Sequence, residues 1–233
     1  MTAGLPLICF PFAGAGSSAY TGLARSAPPS IEVRPVQLPG REGRFGEPLL
    51  TSWAQVRRFL AAEVLPTLRT PYAVYGHSMG GLVGYELCVL AAAAGRPPAA
   101  LVLGACGAPT PPSTAATGDA VDDPEEAHGA RTIAAADPGL LEVLLPILRA
   151  DLRLARDHEV PTTAIGCPVL ALRGSGDHDV TESHMAGWRR HTTGPFVSRV
   201  VDGAHLFVRD RPSSVTTELE PFLAAVATED THR

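Results

Sequence analysis

Residues 76–80 of this chain, Gly76-His77-Ser78-Met79-Gly80, place a serine between a short apolar run and a long apolar run of helical character. The five-residue pattern recurs by chance, and it is the setting between an apolar strand and an apolar helix that constrains the fold. A strand that passes into a helix through so few residues must turn sharply, and the residue at the tip is forced into a strained backbone conformation. Its neighbours must be small, and Gly76, Gly80 and Gly81 satisfy that. A serine hydroxyl is a poor nucleophile at neutral pH and needs an adjacent base. Ser78 is therefore the expected nucleophile, provided the rest of the chain supplies that base.

The surrounding pattern supports the turn. Short apolar runs at 5–12, 31–38, 72–75, 99–105, 169–172 and 196–201 read as strands bounded by Gly and Pro. Ser52 and Gln55 form a capping box ahead of Trp53, Val56, Leu60, Val64 and Leu68, which recur at helical spacing until Pro71. The helix expected at 79–94 is apolar around most of its circumference, so it belongs in the centre rather than on a surface. Further helices are expected at 182–191 and 215–225. Strands alternating with helices imply a mainly parallel sheet with helices on both faces. The 233 residues, 45 % of them apolar, suffice for one sizeable domain spanning 1–233. One segment breaks the alternation. Residues 109–126 are rich in Pro, Thr, Ala and Asp and read as a loop. Residues 139–157 read as a helix with too many leucines for a single face: Leu140, Leu141, Leu144, Leu145, Leu148, Leu152 and Leu154. The stretch 109–160 is read as an insertion over the sheet edge, either a packed surface helix or a lid lining a substrate pocket.

Composition excludes several functions. The formal net charge is −5 and no basic face stands out, which argues against a nucleic-acid partner. All 19 basic residues are Arg. No apolar run approaches the roughly 20 residues needed to cross a bilayer, and the first residues lack the pattern of a secretory signal. Cys9, Cys88, Cys106 and Cys167 stand singly among apolar residues without metal-ligand spacing. The expectation is a cytoplasmic protein with free thiols, no membrane contact, no metal and no organic cofactor.

A base for Ser78 should come from the C-terminal edge of the sheet, downstream of the serine and of an acid. His205, in Asp202-Gly203-Ala204-His205 just after the last strand, is best placed. His77 is adjacent to the serine and points elsewhere. The acid should follow the fifth strand, where Gly174-Ser175-Gly176-Asp177-His178-Asp179 offers two carboxylates. One of them would accept the imidazole N–H and stabilise the imidazolium; the other would be a turn former. Two oxyanion donors are expected, the backbone N–H of Met79 and one from the loop at 12–16, where small residues allow close approach. These features define an α/β-hydrolase fold.

The same residues resemble a family. Cys9-Phe10-Pro11-Phe12-Ala13-Gly14, Gln37-Leu38-Pro39-Gly40-Arg41-Glu42 with Arg44, Gly76 to Gly81, Leu145-Pro146-Ile147-Leu148-Arg149-Ala150-Asp151, Gly176 to Asp179 and Gly203-Ala204-His205-Leu206-Phe207 are similar to the motifs of the type II thioesterases that serve polyketide and non-ribosomal peptide synthases. The chain departs from them at Ala204, where the family has a second Gly, and after Asp179, where it runs straight to Val180. The resemblance implies Ala13 and Met79 as the oxyanion donors and a Ser78–Asp179–His205 triad, favouring Asp179 over Asp177. It also implies hydrolysis of acyl groups from the phosphopantetheine arm of acyl or peptidyl carrier proteins, for editing or release. With an acidic chain and acidic carriers, docking would depend on local Arg patches. The alternatives are a general carboxylesterase or lipase, and a carrier-binding module with a decayed site.

Overall fold

The apolar runs become strands whose side chains alternate between two layers, the central ones buried on both faces and the two edge strands partly exposed. In the computed structural model, which describes residues 4–109, 138–159 and 163–230, the strands are β1 (Leu5–Phe10), β2 (Ile31–Pro35), β3 (Ala73–His77), β4 (Ala100–Gly104), β5 (Val169–Gly174) and β6 (Phe196–Val201). They form one sheet in the order β2-β1-β3-β4-β5-β6. Every neighbouring pair is parallel. Ile8, Phe10, Val74, Leu101, Leu103, Val169 and Ala171 pack into one layer. Leu7, Cys9, Tyr75, Val102, Leu170 and Leu172 pack into the other.

Helices cover both faces. α1 (Thr21–Ser26), α6 (Phe207–Asp210) and α7 (Pro212–Asp230) lie on one side, contributing Leu23, Phe207, Val208, Val215, Leu219 and Leu223 to its core. α2 (Trp53–Phe59), α3 (Met79–Ala93), α4 (Pro138–Arg156) and α5 (Glu182–Ala186) contribute Val56, Phe59, Val83, Leu87, Leu154 and Met185 to the other. α3 is buried on nearly all sides, as its composition requires. The sheet is thus as expected, with shifted boundaries. β1 stops before Pro11, which has no amide to donate, whereas β3 continues through Gly76 and His77, which pair with Phe10 and Gly104.

The helix expected from Trp53 to Leu68 changes character along its length. Ser52 Oγ accepts the Gln55 N–H at 3.3 Å, and Gln55 reaches back to the Thr51 amide at 2.7 Å. After Phe59 the chain widens into a π turn at Leu60–Val64 and tightens into a 3-10 turn at Leu65–Thr67, where Pro66 has no N–H to continue an α ladder. The inserted helix expected at 139–157 is α4. The loop expected at 109–126 falls, beyond Pro109, outside the described residues. α1, α6 and the 3-10 turn Ser17–Tyr20 were not foreseen; each is too short to carry a periodic signal.

One carboxylate interrupts the apolar surface of α3. Glu86 is 2 % exposed. It accepts two hydrogen bonds from Arg57 of α2, both 2.8 Å, and lies 2.9 Å from His158 Nε2, just beyond α4. Burial pushes the Glu86 carboxyl up, but the bonds from His158 and Arg57 outweigh it and hold the group below the usual carboxylate range. Glu86 therefore ties α2 and the segment that follows α4 to α3. Removing it strands a buried imidazole, while Arg57 is 41 % exposed and can rehydrate. Glu86→Ala is expected to cost about 3 kcal/mol, the low end for a broken buried pair, measured by urea denaturation; a loss within the error of the measurement would contradict this account.

Candidate active site

β1 leads out to β2 on one side and the chain returns to β3 on the other, so the carboxyl ends of β1 and β3 flank the point where strand order reverses. Ligand crevices in open parallel sheets form there. The loop after β1 carries Phe12 to Gly16, and β3 ends at Ser78. Ser78 adopts φ 53° and ψ −124°, a region L residues rarely enter. The neighbouring glycines make this turn possible: a Cβ on Gly76 would lie 2.2 Å from the Gly80 carbonyl oxygen, and one on Gly80 2.2 Å from the Phe10 carbonyl oxygen. Both obstacles are backbone, so no side chain could be accommodated by repacking. Met79 opens α3, where the first amides have no intrahelical acceptor.

His205 meets Ser78 as expected. Its Nε2 lies 3.1 Å from Ser78 Oγ, and its Nδ1 lies 3.0 Å from a carboxylate oxygen. That carboxylate belongs to Asp177, which corrects the expectation of Asp179. The physical reason is an Asx turn. Asp177 Oδ1 accepts the N–H groups of Asp179 at 2.9 Å and Val180 at 3.1 Å, leaving Oδ2 for the imidazole. Asp177 is 5 % exposed, and Val180, three residues on, is buried and anchors the turn. Asp179 is exposed and contributes its amide to the turn. A carboxylate only accepts, so the His205 proton sits on Nδ1 and Nε2 is free to take one from Ser78. Burial pushes the Asp177 carboxyl up, but the hydrogen bond and charge of His205 and the two amides prevail and lower it. The loops bearing Asp177 and His205 are joined by Gly176 N–H to Gly203 C=O at 2.9 Å and Ser175 N–H to Val201 C=O at 2.8 Å. Asp177, Asp179 and His205 bring ligand atoms within 4.8 Å of one another, and two of these residues, Asp177 and His205, are hydrogen-bonded to each other.

His77 was expected to point elsewhere, and it does, but it points beneath His205. Its Nε2 lies 2.7 Å from the His205 backbone oxygen, and its Nδ1 lies 3.0 Å from Tyr75 Oη. A carbonyl only accepts, so Nε2 carries the proton and Nδ1 receives the Tyr75 hydroxyl. The Phe207 ring stands edge-on at 4.7 Å. Strand alternation signalled the direction of His77; its partner lies 128 residues away, beyond any local pattern.

α4 rests on the loop after β1. A Cβ on Gly14 would lie 3.3 Å from Leu148 Cδ1. Ile147, Leu148 and Leu154 are buried, Leu144 and Leu145 half-buried, and Val143 is 45 % exposed. Part of the surplus leucine surface is thus spent on packing, and part stays open. No described helix is long and apolar enough to cross a membrane.

This sheet and this Ser–His–Asp constellation define a protein of the α/β-hydrolase type. The family model for the thioesterase domain matches residues 5–223, and the chain belongs to that thioesterase family. It is 34 % identical over 228 residues to "linear gramicidin dehydrogenase LgrE" of Brevibacillus parabrevis, covering 93 % of this chain and 87 % of the relative. It is 32 % identical over 212 residues to gramicidin S biosynthesis protein GrsT of Aneurinibacillus migulanus, covering 88 % and 83 %. Among solved structures, the type II thioesterase BorB from the borrelidin biosynthetic cluster superposes with a TM-score of 0.82 at 29 % identity, over 96 % of this chain and 94 % of that one.

The site's burial gives a pH prediction. Burial holds His77 down at about 3, against an ordinary value of 6.5. Below 6.5 the unfolded chain takes up a proton that the folded chain refuses, so stability falls as pH drops toward 3, by about 1.4 kcal/mol per unit. The urea midpoint should be nearly flat from pH 7 to 8 and fall steadily below about 6. His77→Phe should reduce that slope by about one proton; an unchanged slope would show that His77 is not the group responsible.

Proposed function

We propose that this chain is a serine thioesterase that hydrolyses acyl groups from the phosphopantetheine arm of acyl or peptidyl carrier proteins, in editing or release during polyketide or non-ribosomal peptide synthesis. The observation that carries the reading is the continuous chain Ser78 Oγ, His205 Nε2, His205 Nδ1, Asp177 Oδ2, with links of 3.1 and 3.0 Å, at the tip of the strained turn. Family membership and the relatives of biosynthetic clusters support this substrate class.

In this reading Ser78 gives its proton to His205 Nε2 as its oxygen attacks the thioester carbonyl. The Met79 and Ala13 N–H groups hold the oxyanion. The intermediate collapses, the C–S bond breaks and the carrier thiol leaves with the proton from His205. A water, deprotonated by His205, then attacks the acyl ester and frees the carboxylic acid and Ser78. Asp177 keeps the His205 tautomer and stabilises the imidazolium without itself taking the proton. The residues 1–233 act as one domain with the insertion at 109–160 as a lid, and the four buried free thiols fit a cytoplasmic setting.

A dehydrogenase reading has two points in its favour: the name of the Brevibacillus relative, and the run Gly14-Ala15-Gly16-Ser17-Ser18-Ala19 after β1, which has the spacing of a dinucleotide-binding turn. The donors of that turn are already engaged. Gly14 N–H bonds Asp151 at 2.8 Å, Ser17 N–H bonds Gln37 at 3.1 Å and Ser18 N–H bonds Glu42 at 3.2 Å. Two of these acceptors are carboxylates, which would repel a pyrophosphate, so the hydrolase reading stands.

Mutation separates the roles. Ser78→Ala should fold normally and lose several powers of ten in kcat on an acyl-carrier thioester. Asp177→Asn should lose up to about ten-thousandfold, and Asp179→Asn should change kcat little; the reverse order would overturn the assignment. A fluorophosphonate should label Ser78, which a decayed site would not allow. Hydrolysis of simple esters faster than acyl-carrier thioesters would favour the general esterase.

The lid reading is tested at Leu144, which is half-buried, in preference to Leu148, which presses on Gly14. Leu144→Trp should alter the ranking of acyl chain lengths more than the melting temperature. An unaltered ranking would leave α4 as packing alone.

A further inference from the structure

Asp151 lies in the last third of α4 and is 0 % exposed, and Arg41, between β2 and α2, is 2 % exposed. Two charges so deeply buried are tolerated only when each is paired and fully hydrogen-bonded. Arg41 holds Asp151 with both terminal nitrogens, Nη2 at 2.9 Å from Oδ1 and Nη1 on Oδ2. The pair reaches further. Asp151 Oδ2 also accepts the Gly14 N–H at 2.8 Å, and Arg41 Nη1 also donates to the Ala15 carbonyl at 3.2 Å. Gln37 supports the arrangement from behind, with Nε2 donating to the Arg41 carbonyl at 3.0 Å and Oε1 accepting the Ser17 N–H at 3.1 Å.

All these contacts converge on one turn. The Ala13–Gly14 peptide has its N–H drawn to Asp151, and Gly14 sits at φ +79°. With that peptide held, the one before it, which carries the Ala13 N–H, loses most of its freedom to rotate. Leu148, three residues before Asp151 on the same helix, closes the space above Gly14. The turn that would supply one oxyanion donor is therefore fixed by a side chain of the inserted helix, 137 residues away in sequence.

We propose that Asp151 and Arg41 are positioning residues that couple the inserted helix to the oxyanion hole. The Ala13 donor is aimed correctly only while α4 is docked, so that displacement of α4 opens the site and switches off the hole in one movement. The inference rests on the reading of Ala13 as a donor. Neither residue touches the reacting atoms; both act through the orientation of a peptide.

The test combines two variants with a readout that a purely structural role would not move. Arg41→Met with Asp151→Leu removes the charge pair and the Gly14 acceptor together, and such apolar replacements are often neutral in stability. The folded double variant should lose about 10²- to 10³-fold in kcat on an acyl-carrier thioester, the scale of one lost oxyanion donor, with KM little changed. Its affinity for an acyl trifluoromethyl ketone, whose Ser78 adduct carries the oxyanion, should fall in parallel. Its affinity for a non-hydrolysable thioether analogue of the substrate should not. Arg41→Lys keeps the charge but cannot bridge both Asp151 oxygens and the Ala15 carbonyl, and should lose a smaller share of both kcat and ketone affinity. It serves alone if the double variant does not fold. A folded variant of either kind with unchanged kcat and ketone affinity overturns the coupling while leaving the hydrolase reading intact. Failure of the parent to react with the ketone at Ser78 would overturn both.

Discussion

The backbone at Ser78 is the constraint on which the site depends. A φ of 53° at a residue with a Cβ costs free energy, and the cost is met by the sheet around it. Ser78 N–H bonds the Gly104 carbonyl at 2.8 Å, and Gly81 N–H bonds the Ser78 carbonyl at 2.8 Å. β1 presses its Phe10 carbonyl into the space left by Gly80. The end of β3 is thereby fixed by β1, by β4 and by the first turn of α3 at once. The serine hydroxyl is rigid because the sheet is rigid, and His205 has only to be brought to it.

Two buried relays fix the loops around that serine. Below the site, Tyr75 and His77 hold the backbone of His205 from the opposite face of the same strand. Above it, Arg41 and Asp151 hold the loop after β1 from the inserted helix. In each relay a charged or titratable group is buried with its donors and acceptors matched, which is the condition for such groups to specify a geometry rather than to weaken the core. The two relays join parts of the chain more than 100 residues apart.

Much of the fold was legible in the sequence because it rests on periodicity. The six strands, the central α3 and the inserted helix each contain enough alternating or helical apolar positions to be seen. That Ser78 and His205 meet was legible because strand-turn-helix context and chain order restrict which serine and which histidine can approach each other at this sheet edge. The residues alone leave Asp177 and Asp179 open as the imidazole partner, and the family resemblance favours Asp179; two jobs, turn former and imidazole partner, suggest two residues. Asp177 performs both, with one oxygen for the turn amides and the other for His205. The available signal was an Asp directly after Gly176, a residue type whose side chain bonds its own backbone two residues on. Arg41 and Asp151 were seen only as parts of motifs, since nothing in either segment indicates that they meet.

The central claim is that Ser78 carries the acyl group, and intact-protein mass spectrometry of the quenched enzyme tests it most directly. The protein is mixed with a carrier bearing an acyl-phosphopantetheine arm and quenched before turnover is complete. The account predicts a mass increase equal to the acyl group, located by proteolysis on the peptide containing Ser78 and absent when His205 is replaced by Ala. An acyl adduct on another residue, or complete hydrolysis with no adduct at the earliest times in a variant lacking the Ser78 hydroxyl, would contradict it.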